Sequence, residues 1–205
     1  MKVAVGIDIG GTKVAVALIN ENGEIVSRSQ SPSQTASAES LYQGVVQLVD
    51  KVLNDNDLRI QDTYGIGVGL PGKVDVENGV AIFQNNIPWA HFPIVERLKE
   101  TYGDIPVKID NDVKVAAYAE YRKLNLKPTD MFGYVTVSTG IAATNIVNNT
   151  ILRGEGFSGE IGFVKVPYFE CLDSLEVACS GVGIERTGRE IYEDETLTTK
   201  DIFDK

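Results

Sequence analysis

The sequence predicts an α/β protein of two lobes. Three observations support this: Gly-punctuated apolar strands open the chain, a stretch with one apolar helical face follows, and the order strands-then-helices recurs in the second half. The 205 residues, 43% of them hydrophobic, suffice for one large core or two small ones. A boundary is expected near Lys127-Pro128, giving an N-terminal lobe 1–127, a C-terminal lobe 128–205 and a cleft between them.

Val3 to Ile9, Val14 to Asn20 and Glu24 to Ser31 are apolar runs separated by Gly10-Gly11 and Asn22-Gly23, the latter a type I′ hairpin signal, so an antiparallel meander is expected. Ala38 to Leu53 places Leu41, Val45, Val46, Leu48, Val49 and Val52 on one helical face. Tyr64 to Leu70 returns to strand character. Ile94 to Tyr102 reads as a helix, Val107 to Asp110 as a strand, and Asp112 to Leu124 as a helix with Val115, Ala116, Tyr118 and Ala119 toward the interior. The second set of strands runs from Phe132 to Val137, Asn145 to Val147 and Thr150 to Leu152, with Asn148-Asn149 as a turn. Gly181 to Tyr192 is helical in pattern, and Thr199 to Phe203 opens a further helix.

Composition excludes several functions. The formal charge of −10 repels nucleic acid and anionic membrane, and no basic stripe offsets it. No apolar run is long enough to span a bilayer, and Asp8 with the turn after it interrupts any signal-peptide core, so a cytoplasmic protein is expected. Cys171 and Cys179 lie eight apart without a metal-binding or redox spacing, and are expected to be small buried apolar residues. A small uncharged substrate with a metal-bound nucleotide suits this balance.

The octapeptide Gly6-Ile7-Asp8-Ile9-Gly10-Gly11-Thr12-Lys13 is a strand entering a Gly-rich turn with one acid, one hydroxyl and one base. It reads as a phosphate cradle, in which Gly10-Gly11 take positive φ and leave room for an anion, and Asp8 holds a metal ion or its water shell; the competing reading is a surface hairpin turn. Gly67-Val68-Gly69-Leu70-Pro71-Gly72 matches a dinucleotide fingerprint in letters only. Pro71-Gly72 leads into the extended stretch Lys73 to Val76 where the fingerprint needs a helix, so a strand end with a Pro-Gly turn is expected. Asp110, Asn111 and Asp112 offer more carboxylate and amide than a helix cap requires, and at a strand end such a group can hold a hydroxyl and accept its proton. Ser138-Thr139-Gly140 follows a strand as the first turn does, a second phosphate turn. Gly154 to Gly162 reads as a loop that presents Glu160 to a polar ligand, or as a solvated flexible loop.

Together these residues resemble the ROK family of sugar kinases and related repressors, within the actin-like ATPase superfamily of ribonuclease H-like fold. The resemblance is carried by Asp8 to Lys13, Gly67 to Gly72, Asn111-Asp112, Ser138-Thr139-Gly140-Ile141 and Gly159 to Gly162, in order over nearly the whole chain. It implies an ATP- and Mg²⁺-dependent kinase that phosphorylates a hexose or N-acetylhexosamine hydroxyl, glucokinase-like, with fructose and N-acetylmannosamine as other acceptors. Asp112 would be the catalytic base. Asn86 in Asn85-Asn86-Ile87-Pro88-Trp89, with Asn111, Asp112, Glu160 and Glu176, would contact the sugar. Asp8 would help hold Mg²⁺, while Gly10, Gly11, Thr12, Lys13, Ser138, Thr139 and Gly140 would cradle the phosphates. A homodimer is implied as well.

The departures carry expectations of their own. Phe163 stands where many relatives have a zinc-binding His, and the Cys-rich cluster is absent, so no zinc is expected. Ser138, Ala142 and Ala143 replace glycines of the second turn, and each added Cβ narrows the space for a phosphate. That motivates the alternative of a catalytically weak sugar-binding or regulatory protein. No helix-turn-helix segment precedes Met1, which disfavours the repressor branch. Relatives continue beyond the point matched by Thr198 to Lys205, so an incomplete second lobe is expected, with exposed apolar surface and weaker binding of Mg-ATP than of sugar.

Overall fold

The computed structural model describes residues 2–84, 86–124, 126–127, 129–156 and 158–204. Asn85 and Pro128, which the sequence reading singled out, lie outside the described residues. The chain forms two compact units, Met1–Val115 and Ala116–Lys205. This division falls within a helix.

In the first unit, β1 (Val3–Ile9), β2 (Lys13–Asn20) and β3 (Ile25–Pro32) form the expected antiparallel meander. The helix α1 (Ala38–Asn54) then carries the chain to β4 (Ile66–Leu70), which pairs parallel to β1. Parallel neighbours need such a crossover. A small antiparallel sheet of β5 (Lys73–Asp75), β6 (Val80–Phe83) and β7 (Ala90–Phe92) follows. After α2 (Ile94–Tyr102), β8 (Val107–Asn111) pairs parallel to β4, so the main sheet has the order β3-β2-β1-β4-β8.

Core formation follows the side-chain periods. Alternate residues Val3, Val5, Ile7 and Ile9 of β1 are buried, as are Leu41, Val45, Leu48, Val49 and Val52 of α1, each contributing about 1.5–3 kcal/mol. Ser37 and Ser40 cap α1 reciprocally. Trp89 is fully buried, stacks on Phe92 at 4.4 Å and donates its indole N–H to Ala38 O at 3.0 Å, which ties β7 to the start of α1.

Two turn expectations change. Of Asn22-Gly23 only Gly23 has positive φ (81°), so the connection is not type I′; Gly23 N–H instead donates to Asn20 O, and the Asn20 side chain accepts from Asn22 and Glu24 N–H. Neither Gly10 nor Gly11 has positive φ, so that turn does not need glycine for its dihedral angles.

The helix α3 (Asp112–Lys123) runs from the first unit into the second. Its buried residues are Lys114, Ala117 and Tyr121, whereas Val115 is 42% exposed, Ala119 is exposed, and Ala116 and Tyr118 are half-buried. The expected interior face is thus rotated: the spacing 114/117/121 is itself a helical stripe, masked in the sequence by a lysine.

The second unit repeats the meander as β9 (Met131–Val137), β10 (Ile141–Val147) and β11 (Thr150–Ile151), with Asn148 and Asn149 at φ 49° and 60° in the two-residue turn. The strand β10 begins four residues earlier than the expected Asn145. The hairpin β12 (Lys165–Tyr168) and β13 (Cys171–Ser174) leads to α4 (Leu175–Cys179), α5 (Gly181–Tyr192) and α6 (Thr199–Phe203). Its core is small: Ala117, Tyr121 and Ile146, with Phe132, Tyr134 and Ile151 against them. Met131, Val135 and Val137 on one face of β9 are exposed, as are Phe163, Phe169, Leu172 and Phe203. Cys171 and Cys179 are also exposed, correcting the expectation that they are buried. No described helix is long and apolar enough to cross a membrane.

Candidate active site

In the first unit, β1 delivers Asp8 to an exposed position opposite Gly69 of β4, which is itself opposite Asp110 of β8. In-register neighbours of a parallel sheet share a face, so Asp8 and Asp110 stand in one row with no side chain between them. Asp112 lies over that gap, its Cα 3.7 Å from where a β-carbon on Gly69 would stand.

The turn after β1 is held by Gly10 N–H donating to Lys13 O, Ser33 Oγ to Gly10 O at 2.5 Å and Ser33 N–H to Thr12 O. Thr12 and Lys13 are exposed. Gly11 is required by proximity, since an added β-carbon would stand 2.7 Å from both Asn86 Cβ and Asn86 O. The first turn and the exposed Asn86 are therefore neighbours.

Asn111, not Asp112, caps α3: its Oδ1 accepts Lys114 N–H at 3.2 Å and its Nδ2 donates to Gly72 O at 3.1 Å. Asp112 accepts Val113 N–H at 2.9 Å, and burial pushes its carboxyl above the usual range, with the nearby Asp8 charge adding to the rise. The Val113 N–H and the Lys114 charge act in the opposite direction. A carboxylate whose proton affinity is raised, at a strand end, suits a general base.

In the second unit the turn 138–140 is organised from below. Ser138 N–H donates to Gly140 O, and Gly181 N–H at the start of α5 donates to Ser138 O at 2.7 Å. Glu176 turns its carboxylate to this turn, accepting Ile141 N–H at 2.9 Å. Gly140 and Gly162 leave room for it: β-carbons there would stand 2.5 Å and 3.2 Å from Glu176 Oε2. Glu160, half-buried, precedes the short turn Ile161–Phe163 and makes no capping bond with its side chain.

Asp8, Gly10 to Lys13, Asn86, Asn111 and Asp112 thus lie in the first unit, and Ser138 to Gly140, Glu160 and Glu176 in the second. Two residues escaped the sequence reading. Lys114 is 6% exposed beside Asp112, and Gln84, also 6% exposed, donates from Nε2 to Lys73 O. Strand alternation from Ala81 would bury Phe83 and expose residue 84, so no periodic signal pointed to Gln84. Among the described residues no group of three or more His, Cys, Asp or Glu converges as a metal site.

A meander joined to parallel strands, with an acid at the end of β1 and a turn after it, defines an α/β protein of the actin-like ATPase, ribonuclease H-like fold. The chain belongs to the ROK family, whose model matches residues 4–205. It is 30% identical over 97% of its length to a glucokinase of Halalkalibacterium halodurans, spanning 67% of that protein. It is 29% identical over 80% of its length to the xylose repressor of Bacillus subtilis, spanning 43% of it. The crystal structure of a ROK glucokinase from Streptomyces griseus in complex with glucose and AMPPNP superposes with a TM-score of 0.75 at 27% identity, over 93% of this chain and 61% of that one. The chain spans only part of each.

Proposed function

We propose that the chain serves ATP-dependent phosphorylation of a hexose or N-acetylhexosamine hydroxyl, with Asp112 as the base. The carrying observation is Asp112, half-buried at the start of α3 just beyond β8, with the proton affinity of its carboxyl raised while Asn111 does the capping. Asp112 takes the proton of the acceptor hydroxyl as that oxygen bonds to the γ-phosphorus, and the bond from γ-phosphorus to the departing ADP oxygen breaks. Asn86, Asn111, Glu160 and Glu176 orient the sugar. The turns Gly10 to Lys13 and Ser138 to Gly140 hold phosphates through N–H groups and hydroxyls, and since Gly10 N–H is taken by Lys13 O, the first turn's contribution comes from the residues after it.

Mg²⁺ fits Asp8. This ion is held by one or two carboxylates together with substrate phosphates, and Asp8 offers an exposed carboxylate beside the first turn. Bound there with the nucleotide, it would neutralise charge developing on the phosphates. Cytoplasmic location, a homodimer and the absence of zinc belong to the same reading. A coupled ADP-release assay over hexoses and N-acetylhexosamines tests it: turnover with at least one acceptor is expected, and none from folded protein would refute it.

A second reading, a sugar-binding regulatory protein, is favoured by Ser138, Ala142 and Ala143 in the second turn and by the repressor relative. Calorimetry separates the two. Sugar binding without Mg-ATP binding supports the second.

A further inference from the structure

We propose that Gln84 is a positioning residue for the acceptor site: it pins the turn Gly72-Lys73, whose Gly72 carbonyl holds the Asn111 side chain and through it the start of α3. The inference rests on the reading of Asn111 and Asp112 as the sugar-handling pair.

Gln84 follows β6 and is buried where an apolar residue would pack without polar cost. Its Nε2 donates to Lys73 O at 3.1 Å, across the gap between β6 and β5. Its Oε1 is buried and accepts no hydrogen bond among the described residues. The next residue in the relay, Gly72, has φ 72°, and its Cα lies so close to β6 that an added β-carbon would stand 2.3 Å from Phe83 O and 3.2 Å from Gln84 Oε1. Gly72 O accepts from Asn111 Nδ2 at 3.1 Å, and Asn111 Oδ1 accepts from Lys114 N–H at 3.2 Å. Three hydrogen bonds therefore run in series from Gln84 to the first turn of α3.

Each link constrains the next. Asn111 spends one amide hydrogen and one lone pair on this relay and keeps one of each for a ligand, so the direction of the free pair is set by Gly72 O. Gly72 O is in turn fixed by the turn that Gln84 fastens. A buried polar side chain with an unmet acceptor costs stability that packing alone does not offset, and the relay gives it a role.

Glucose, fructose and N-acetylmannosamine binding is measured by calorimetry for the parent chain, Gln84→Met, Gln84→Glu, Asn111→Ala and Gln84→Met/Asn111→Ala. Gln84→Met keeps length without hydrogen bonding, and Gln84→Glu, measured at alkaline pH where the carboxyl is ionised, keeps shape while removing the donor to Lys73 O, so it serves if the first variant fails to fold. Both are expected to weaken the best sugar by about tenfold, the equivalent of one strong hydrogen bond. In the double variant the loss should be little more than that of Asn111→Ala, because both act through one relay. Unchanged affinity in the Gln84 variants beside a tightly binding parent overturns the role of Gln84 alone, as does strict additivity. A folded parent that binds none of the sugars overturns the reading of the site and the inference with it.

Discussion

Gly11 of the first turn packs directly on Asn86, where a β-carbon would come within 2.7 Å of both the Asn86 Cβ and its carbonyl oxygen. The contact joins the residue expected to approach phosphate with a residue expected to hold sugar, inside one unit.

Gly11→Ala should therefore displace Asn86, because the obstacle includes backbone that cannot rotate away. Sugar affinity is expected to fall about tenfold or more, with a loss of roughly 1–3 kcal/mol in stability, the range for overpacking. Calorimetry and a thermal melt read the two effects. Parental affinity in the variant would separate the first turn from the sugar site.

Asp112→Asn is expected to reduce turnover by about 10² to 10⁴, the usual contribution of a general base, while preserving the acceptor for Val113 N–H. Its stability effect has the opposite sign. Asp112 has a folded pKa raised above its unfolded value, so its contribution to stability is fully present below the unfolded pKa and is lost as pH rises through the folded one. At neutral pH the ionised, half-buried carboxylate opposes folding, and the amide removes that cost. The variant should melt above the parent at pH 7, with the difference shrinking on acidification toward the ordinary carboxylate pKa of about 3.9. A variant that retains near-parental turnover would remove Asp112 from the role of base.

The fold was legible where pattern and chemistry agree. The alternation in β1 and the apolar stripe of α1 are period signals that tertiary contacts did not override. The face of α3 was misread because Lys114 occupies a buried position and hydropathy assigns lysine to solvent. Glycines were located but their reasons were not: Gly10 and Gly11 suggested positive φ, yet the need at Gly11 is a close approach by a segment 75 residues away, which no local pattern encodes. The exposure of Cys171 and Cys179 was missed for a related reason, since burial of a small residue depends on what packs over it. Asp8 and Asn111 lie at strand ends and Asp112 opens α3, while Glu176 lies within α4; the division of work between Asn111 and Asp112 appears only in their hydrogen bonds.

Gly72→Ala should be more damaging to the fold than Gly11→Ala. The φ of 72° is strained for any L side chain, and the added carbon would meet Phe83 O at 2.3 Å, a backbone atom of the neighbouring strand. A loss of about 2–4 kcal/mol is expected, from strain plus displacement of β6. Chemical denaturation measures it, and a loss under about 0.5 kcal/mol would show that the turn adapts.

Glu176 and Gly140 form a pair whose coupling can be measured. A β-carbon at Gly140 would stand 2.5 Å from Glu176 Oε2, the mobile end of a side chain, so Gly140→Ala should push the carboxylate off Ile141 N–H rather than break the strand. The charge-assisted hydrogen bond lost is worth about 1–2 kcal/mol, or a fall of roughly 2–6 °C in Tm for a chain of this size. Glu176→Ala removes the same bond from the other side. The double variant should then be destabilised by no more than about 0.5 kcal/mol beyond the worse single one, because the interaction can be lost only once. Fully additive losses would mean that Glu176 and Gly140 stabilise the second unit independently, and that the carboxylate does not organise the turn 138–140.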